Sequence, residues 1–164
     1  MRSLLIIGAL TAALSLAASA GATAPETGTF PISIHYTLPA GSVCSFDVHV
    51  DIDGTGTFSV YDNPPRNNQH YDEQGTITAN GNTLLVNDHY NVTTTPPSSP
   101  AEEQGVFTQR GAAVHVSAPG DGIVLLDAGY LVTLYPDGTV VVANGQFPFE
   151  VDGDVGSLCT ALAA

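Results

Sequence analysis

The sequence predicts an all-β protein: an antiparallel β-sandwich or flattened barrel with a short C-terminal helix or turn. Apolar and polar residues alternate with a period of two in the N-terminal half, and short apolar runs recur between glycine-rich turns from residue 106 onward. The connections between these runs are of hairpin length, which is too short for parallel crossovers. With 43% hydrophobic and only 12% charged residues, the composition is typical of a packed domain.

The N-terminus has the pattern of a secretory signal peptide over residues 1–20. Arg2 is followed by an apolar run, and Ala18-Ser19-Ala20 forms a small-residue cleavage site. We therefore expect a secreted or extracellular protein with a flexible leader over residues 21–28 and a single β-domain over residues 29–164. No later segment is apolar for long enough to span a bilayer, so no membrane span is expected after signal cleavage.

The first predicted strands cover residues 30–38 and 44–52, where apolar residues occupy alternate positions. This alternation places Cys44 on the inward face of the second strand. The aspartate- and glycine-rich residues that follow are predicted to turn into a return strand at 57–61, because Asp-Gly and Thr-Gly are good turn pairs. Residues 63–68 contain two prolines and three asparagines and are predicted to form a loop.

Three turn or loop signals organise the rest of the chain. Asn80-Gly81 predicts a two-residue hairpin, because both residues tolerate a positive φ. Residues 95–103, with three prolines, predict a long loop. Pro136-Asp137-Gly138 predicts a further tight turn, because proline presets the φ of its first central position.

The C-terminal part is predicted to contain several short strands and then a helical tail. The strands are expected at residues 113–116, 123–126, 130–135, 139–143 and 147–151. From Asp154 onward, Leu158, Cys159 and Leu162 have helical spacing after a residue that favours helix N-termini. We expect a short helix or turn there.

The two cysteines, Cys44 and Cys159, are 115 residues apart. In an exported chain the environment is oxidising, so one intramolecular disulfide is the simplest prediction. An intermolecular bond and a reactive thiol remain alternatives at this point. The disulfide would join the second predicted strand to the C-terminal helix or turn.

The charge balance is strongly acidic. There are 3 basic and 16 acidic residues, for a net charge of −13, which becomes about −14 once Arg2 leaves with the signal peptide. Such a surface repels phosphate backbones and anionic head groups, which argues against binding to nucleic acid or membrane surfaces. A cation or a protein partner fits better, and the acidity also serves solubility.

Residues 51–62 follow the order of an EF-hand calcium loop. Asp51, Asp53 and Thr55 fall at ligand positions 1, 3 and 5. Thr57 falls where the backbone carbonyl is a ligand, and Asp62 falls at the twelfth and last ligand position. The flanking residues do not read as helices, and the last ligand is normally glutamate. A calcium site with these five residues is therefore an alternative to an acidic turn, and no other cofactor is predicted.

No catalytic residue is predicted. Five histidines are scattered without metal-ligand spacing, and neither a G-x-S-x-G nucleophile motif nor an H-E-x-x-H motif occurs. A pair of carboxylates brought together by folding could still support a small extracellular hydrolase. The chain is expected not to be an enzyme, with that hydrolase as the second alternative after the calcium-dependent module.

Three segments carry a resemblance to other proteins: V-C-S-F-D-V from Val43, P-D-G from Pro136 and L-C-T-A-L-A from Leu158. With the signal peptide, they resemble small secreted proteins of unknown function from high-GC Gram-positive bacteria. The resemblance implies export but no activity. Together these observations predict an exported, non-catalytic β-domain with a binding or structural role.

Overall fold

The structure, a computed structural model, describes residues 23–97, 104–120 and 122–163. The predicted signal peptide and residues 98–103 of the predicted proline-rich loop lie outside the described residues. Within the described part of the chain, no helix has the length and hydropathy needed to cross a membrane.

Seven antiparallel strands and one helix make up the fold, and each strand pairs with the next one along the chain. They are β1 (Glu26–Leu38), β2 (Val48–Asp62), β3 (Pro65–Ala79), β4 (Asn82–Thr95), β5 (Gly105–Ala118), β6 (Gly122–Tyr135), β7 (Val140–Gln146) and α1 (Gly156–Ala163). The antiparallel all-β class and the short C-terminal helix are thus confirmed. The strands form one open sheet, because the edge strands β1 and β7 do not pair with each other.

The main hydrophobic core lies on one face of the sheet. Strands β2 to β6 contribute alternate apolar side chains, as a half-buried strand does, and α1 adds two leucines on one helical face. The buried members are Cys44, Val48, Val50, Ile52, Ile77, Ala79, Leu84, Val86, Val116, Leu125, Leu158 and Leu162. Because α1 packs on the same face as the strands, the sheet's interior is closed at one end by the helix.

Strand β2 runs straight through the predicted acidic turn, so that prediction is wrong. Its inward positions continue from the core residues to Gly54 and Gly56. A Cβ at Gly54 would meet the backbone of Asp72, and one at Gly56 would meet the ring of Phe30. The glycines therefore permit close packing within a strand, and the chain reverses instead at residues 63–64, between β2 and β3.

Two predicted turns are confirmed. Asn80 and Gly81 have φ values of 53° and 87° and connect β3 to β4 as a two-residue hairpin. Between β6 and β7, the N–H of Gly138 donates to the carbonyl of Leu134 at 2.9 Å, which closes the predicted turn after Pro136. In both places the sequence signal is local, and the local geometry decides the structure.

Several predicted boundaries are wrong. Strand β1 begins at Glu26, inside the predicted leader, and β3 includes most of the predicted loop 63–68. The predicted strands 123–126 and 130–135 are one strand, β6. The predicted strands ended at polar and glycine residues. In the structure, cross-strand pairing continues through these residues, so the strands are longer.

The predicted strand at 147–151 is instead a series of turns. The fully buried carboxylate of Asp127 accepts hydrogen bonds from the backbone N–H groups of Phe149 at 3.0 Å and Glu150 at 2.6 Å. A buried carboxylate needs such donors, and it takes the N–H groups that a β-ladder would use. Asp127 thereby fixes the path of the chain from β7 to α1.

Candidate functional site

The predicted disulfide between Cys44 and Cys159 is present, with Cα atoms 5.5 Å apart, and no cysteine is free. It joins the segment before β2 to α1. The buried side chains of Leu158 and Leu162 flank the bond and pack on the core. The intramolecular pairing therefore excludes the two alternatives, an intermolecular bond and a reactive thiol, in this structure.

The five residues of the predicted calcium loop do not form a loop. Asp51, Asp53, Thr55 and Thr57 point outward from one side of β2, and all four are exposed. Asp62 ends the same strand, so it lies about 36 Å from Asp51 at the usual rise of a strand. The EF-type arrangement is thus wrong, because the ligands of such a loop must converge on one ion.

Two of these aspartates do meet a histidine that the sequence did not single out. His35 on β1 is paired with Asp51 on β2 in the sheet register. Its Nδ1 lies 2.7 Å from Oδ1 of Asp51, and its Nε2 lies 3.3 Å from Oδ1 of Asp53. Oγ of Ser33 is 2.7 Å from the same Nε2. All three members of this histidine–aspartate cluster are exposed, and one imidazole with two carboxylates could hold a transition-metal ion.

We expect no saturable heat when the protein is titrated calorimetrically with Ca²⁺ to about 1 mM, because Ca²⁺ takes six to eight oxygen ligands. Asp51 and Asp53 together offer at most four oxygens. Zn²⁺ is the informative comparison, since it accepts an imidazole together with carboxylates. A saturable Ca²⁺ signal that disappears in Asp53→Asn would contradict this prediction and restore the calcium-dependent module.

A group of buried acidic side chains lies on the opposite, inward face of the sheet. Glu73 on β3 and Asp88 on β4 lie directly opposite each other, and the two residues are only 7% and 6% exposed. Glu73 accepts a hydrogen bond of 3.4 Å from the hydroxyl of Tyr90, and Asp88 accepts one of 2.6 Å from the N–H of His115. No arginine or histidine side chain forms an ion pair with either carboxylate among the described residues.

Burial raises the pKa of each of these acids. It raises the pKa of Asp88 to about 7, although the hydrogen bond from the N–H of His115 opposes the rise. Burial likewise raises the pKa of Glu73 and of Glu150, the latter against the hydrogen bond of 2.7 Å donated by Gln109. Sequence reasoning missed this group. The available signal was that Asp88 takes an inward place in an otherwise apolar alternation of β4.

The third candidate is a pocket on the outward face of β3 to β6, with a volume of about 580 Å³. Its side chains come from neighbouring strands in register, because residues directly opposite each other in a sheet share a face. Its principal polar side chains are those of Arg66, Asn68, Asn91, Thr93, Thr108 and Arg110. We call it the arginine pocket. No aspartate or glutamate in the described part of the chain lines it.

Both arginines in the pocket are held by aromatic rings rather than by acids. Cζ of Arg66 lies 4.0 Å from the ring centroid of Tyr61, and Cζ of Arg110 lies 4.9 Å from that of Tyr130. Each tyrosine is the arginine's cross-strand partner. Neither guanidinium forms an ion pair in the part of the chain that the structure describes. The pocket therefore presents two guanidinium groups whose charges are not neutralised.

One polar atom of the pocket lacks a partner. Oδ1 of Asn68 is buried and accepts no hydrogen bond from the residues that the structure describes. Oδ1 of Asn91, by contrast, lies 3.2 Å from Nδ1 of His70. A buried acceptor without a donor is costly, and such groups in native proteins call for an explanation. The sequence offered one weak pointer to this pocket: Arg66 and Arg110 are the only basic residues after the predicted signal peptide, apart from histidines.

Comparison with known proteins gives no further guide, since no family model, curated protein or solved structure matches the chain. The resemblance to exported proteins of high-GC Gram-positive bacteria stays a prediction. The function must therefore be argued from the geometry of the sites just described.

Proposed function

We propose that this chain is an exported, non-catalytic binding domain that holds a small hydrophilic ligand in the arginine pocket. One observation carries the proposal. In a chain with 16 acidic residues, both arginines of the described residues line one pocket that contains no acid. A random placement of two cations among so many carboxylates would favour ion pairs. Export is supported by the signal-like N-terminus and by the disulfide, which oxidising compartments favour.

The position of the pocket suits specific binding. Its side chains project from β3 to β6, which are interior strands of the sheet and are paired on both sides. Side chains on paired strands hold their positions better than those on loops, so a site built from them is preorganised. The volume of about 580 Å³ lies within the range of small-molecule sites.

Binding rather than catalysis is proposed because the pocket lacks the usual catalytic groups. No carboxylate, histidine, cysteine or serine of the described residues lines it, so none of these residues can act as a general base beside a bound ligand. The hydrolase alternative would need a carboxylate pair elsewhere. Glu73 and Asp88 form such a pair, but both are buried on the other face, where Asp88 lines an apolar cavity of about 180 Å³. Asp53 and Asp72 line only an open surface depression.

The test is a screen of hydrophilic small molecules by two-dimensional NMR of the ¹⁵N-labelled protein. Hits should shift backbone amide resonances on the outward face of β3 to β6. Arg66→Gln and Arg110→Gln should each weaken binding by at least about tenfold, because hydrogen bonds to charged groups are worth about 1.5–3 kcal/mol.

Thr83→Glu is the matched control for the arginine variants. It lowers the net charge by the same one unit, but on an exposed position of β4 about 33 Å from Thr93. It should leave binding unchanged. Hits that shift resonances elsewhere, or that bind both arginine variants as tightly as the unaltered protein, would refute the proposal, and so would a screen without hits.

A further inference from the structure

We infer that the ligand of the arginine pocket is a polyhydroxylated anion, a sugar that carries a carboxylate or a phosphate group. The inference rests on the proposed binding function and adds the chemistry of the ligand to it. Three properties of the pocket support it: its charge, the stacking of its arginines on tyrosines, and the hydrogen-bonding side chains that line it.

The charge of the pocket selects an anion. Guanidinium groups bind carboxylates and phosphates through paired hydrogen bonds, and neither arginine forms an ion pair with an acid among the described residues. The net charge of −13 does not prevent this, because the Debye length at physiological ionic strength is about 8 Å. Among the described residues the pocket is lined by two guanidinium groups and by no carboxylate, which favours an anion.

The aromatic stacking prepares the arginines for an anion. A guanidinium over a ring, 4.0 Å from the centroid for Arg66, keeps its plane fixed while its N–H groups stay available at the edge. An acidic partner would have fixed it equally well but would have occupied those donors. Tyr61 and Tyr130 thus lower the entropy cost of binding without competing for the ligand.

The remaining polar side chains of the pocket favour hydroxyls on the ligand. Asn68, Asn91, Thr93 and Thr108 all carry groups that can donate or accept hydrogen bonds. A simple carboxylate offers only acceptors, whereas each sugar hydroxyl can both donate and accept. The volume of about 580 Å³ also exceeds what one inorganic ion fills. An anion with several hydroxyl groups satisfies all of these groups at once.

The inference is tested by calorimetric titration of the full chain with five probes: glucuronate, glucose 6-phosphate, glucose, acetate and inorganic phosphate. We expect glucuronate or glucose 6-phosphate to bind at least tenfold more tightly than glucose and than the simple anion with the same charged group. The better of the two identifies the charged group as carboxylate or phosphate. Asn68→Ala should weaken the binding of that sugar anion about fivefold to tenfold and leave the binding of acetate unaffected.

The outcomes separate this inference from the proposed function. If glucose binds as tightly as the sugar anions, or acetate and phosphate bind as tightly, the inference is wrong while the pocket remains a binding site. If no probe binds but the screen finds other ligands that shift the pocket resonances, the inference is likewise wrong and the proposed function stands. If neither the probes nor the screen give pocket shifts, both fail.

Discussion

Removing the disulfide should lower the free energy of unfolding by about 5 kcal/mol, as measured by urea denaturation of the Cys44→Ala/Cys159→Ala protein. The bond closes a segment of 115 residues, and the chain-entropy model assigns about 5 kcal/mol to a loop of that length. Small domains have total stabilities of only about 5–15 kcal/mol, so this loss is a large fraction of the whole. The double variant should be marginally folded at 25 °C.

The location of the bond sharpens this prediction. Cys159 lies in α1, a helix of only eight residues that is too short to be stable by itself. Without the bond, α1 is held by Leu158 and Leu162 on the core and by two asparagine side chains, Asn80 and Asn82, which donate to the carbonyl of Leu162. We therefore expect the amide protons of α1 to exchange first in the double variant.

Thr160→Ala provides the control for the disulfide variant, because Thr160 is exposed on α1 and its hydroxyl donates only to the carbonyl of Gly156 within the helix. It should change the free energy of unfolding by no more than about 0.5 kcal/mol. A loss below about 1 kcal/mol in the double variant would mean that the bond hardly restricts the unfolded chain.

The sequence predicted well wherever a local signal decides the structure. Asn80-Gly81 turns because both residues accept a positive φ, and α1 forms where Leu158 and Leu162 repeat at helical spacing. The cysteine pairing followed from there being only two cysteines in a chain with a signal-like N-terminus. None of these required knowledge of the neighbouring strands.

The sequence failed where tertiary packing reverses a local preference. Gly54 and Gly56 are turn residues by propensity, but in β2 they make room for β3 and for the ring of Phe30. Residues 147–151 alternate like a strand, yet Asp127 from β6 takes two of the backbone donors nearby. Both effects come from elements distant in sequence, which a local pattern does not contain.

For the candidate sites, too, the sequence shows single residues, whereas the fold shows which residues lie together. The aspartates of β2 were visible as a cluster, but their histidine partner comes from the sheet register of β1. The arginine pocket needs the register of four strands to bring Arg66 and Arg110 together from 44 residues apart. Because basic residues are so few, these two arginines stand out in the sequence, but only the fold shows that they line the same pocket.

The protein should become more stable as the pH falls from 8 to 4. Asp88 is buried, which raises its pKa to about 7, whereas an unfolded aspartate titrates near 3.9. Between these values the folded state keeps a proton that the unfolded state has lost, so the stability falls as the pH rises through the pKa of the folded protein. Below about pH 4 Asp88 is protonated in both the folded and the unfolded state, and its contribution to the stability of the folded state is fully present.

The size of this effect follows from the difference in pKa. A difference of about three units corresponds to about 4 kcal/mol for Asp88, spread between about pH 4 and pH 7. Glu73 and Glu150 act in the same direction, since burial raises the pKa of each. Thermal or urea unfolding measured at several pH values should therefore give the highest stability at the acid end of this range.

Asp88→Asn isolates the contribution of Asp88. The amide keeps the shape of the side chain and an oxygen that can accept from the N–H of His115, but it carries no charge at any pH. The free energy of unfolding of the variant should exceed that of the unaltered protein by about 4 kcal/mol at pH 8, and the two values should be equal near pH 4. Asp72→Asn removes the same charge from an exposed position beside Glu73 and is the charge-matched control. If the stability curves of Asp88→Asn and the unaltered protein run parallel from pH 4 to pH 8, the carboxyl of Asp88 is not the group that holds the proton.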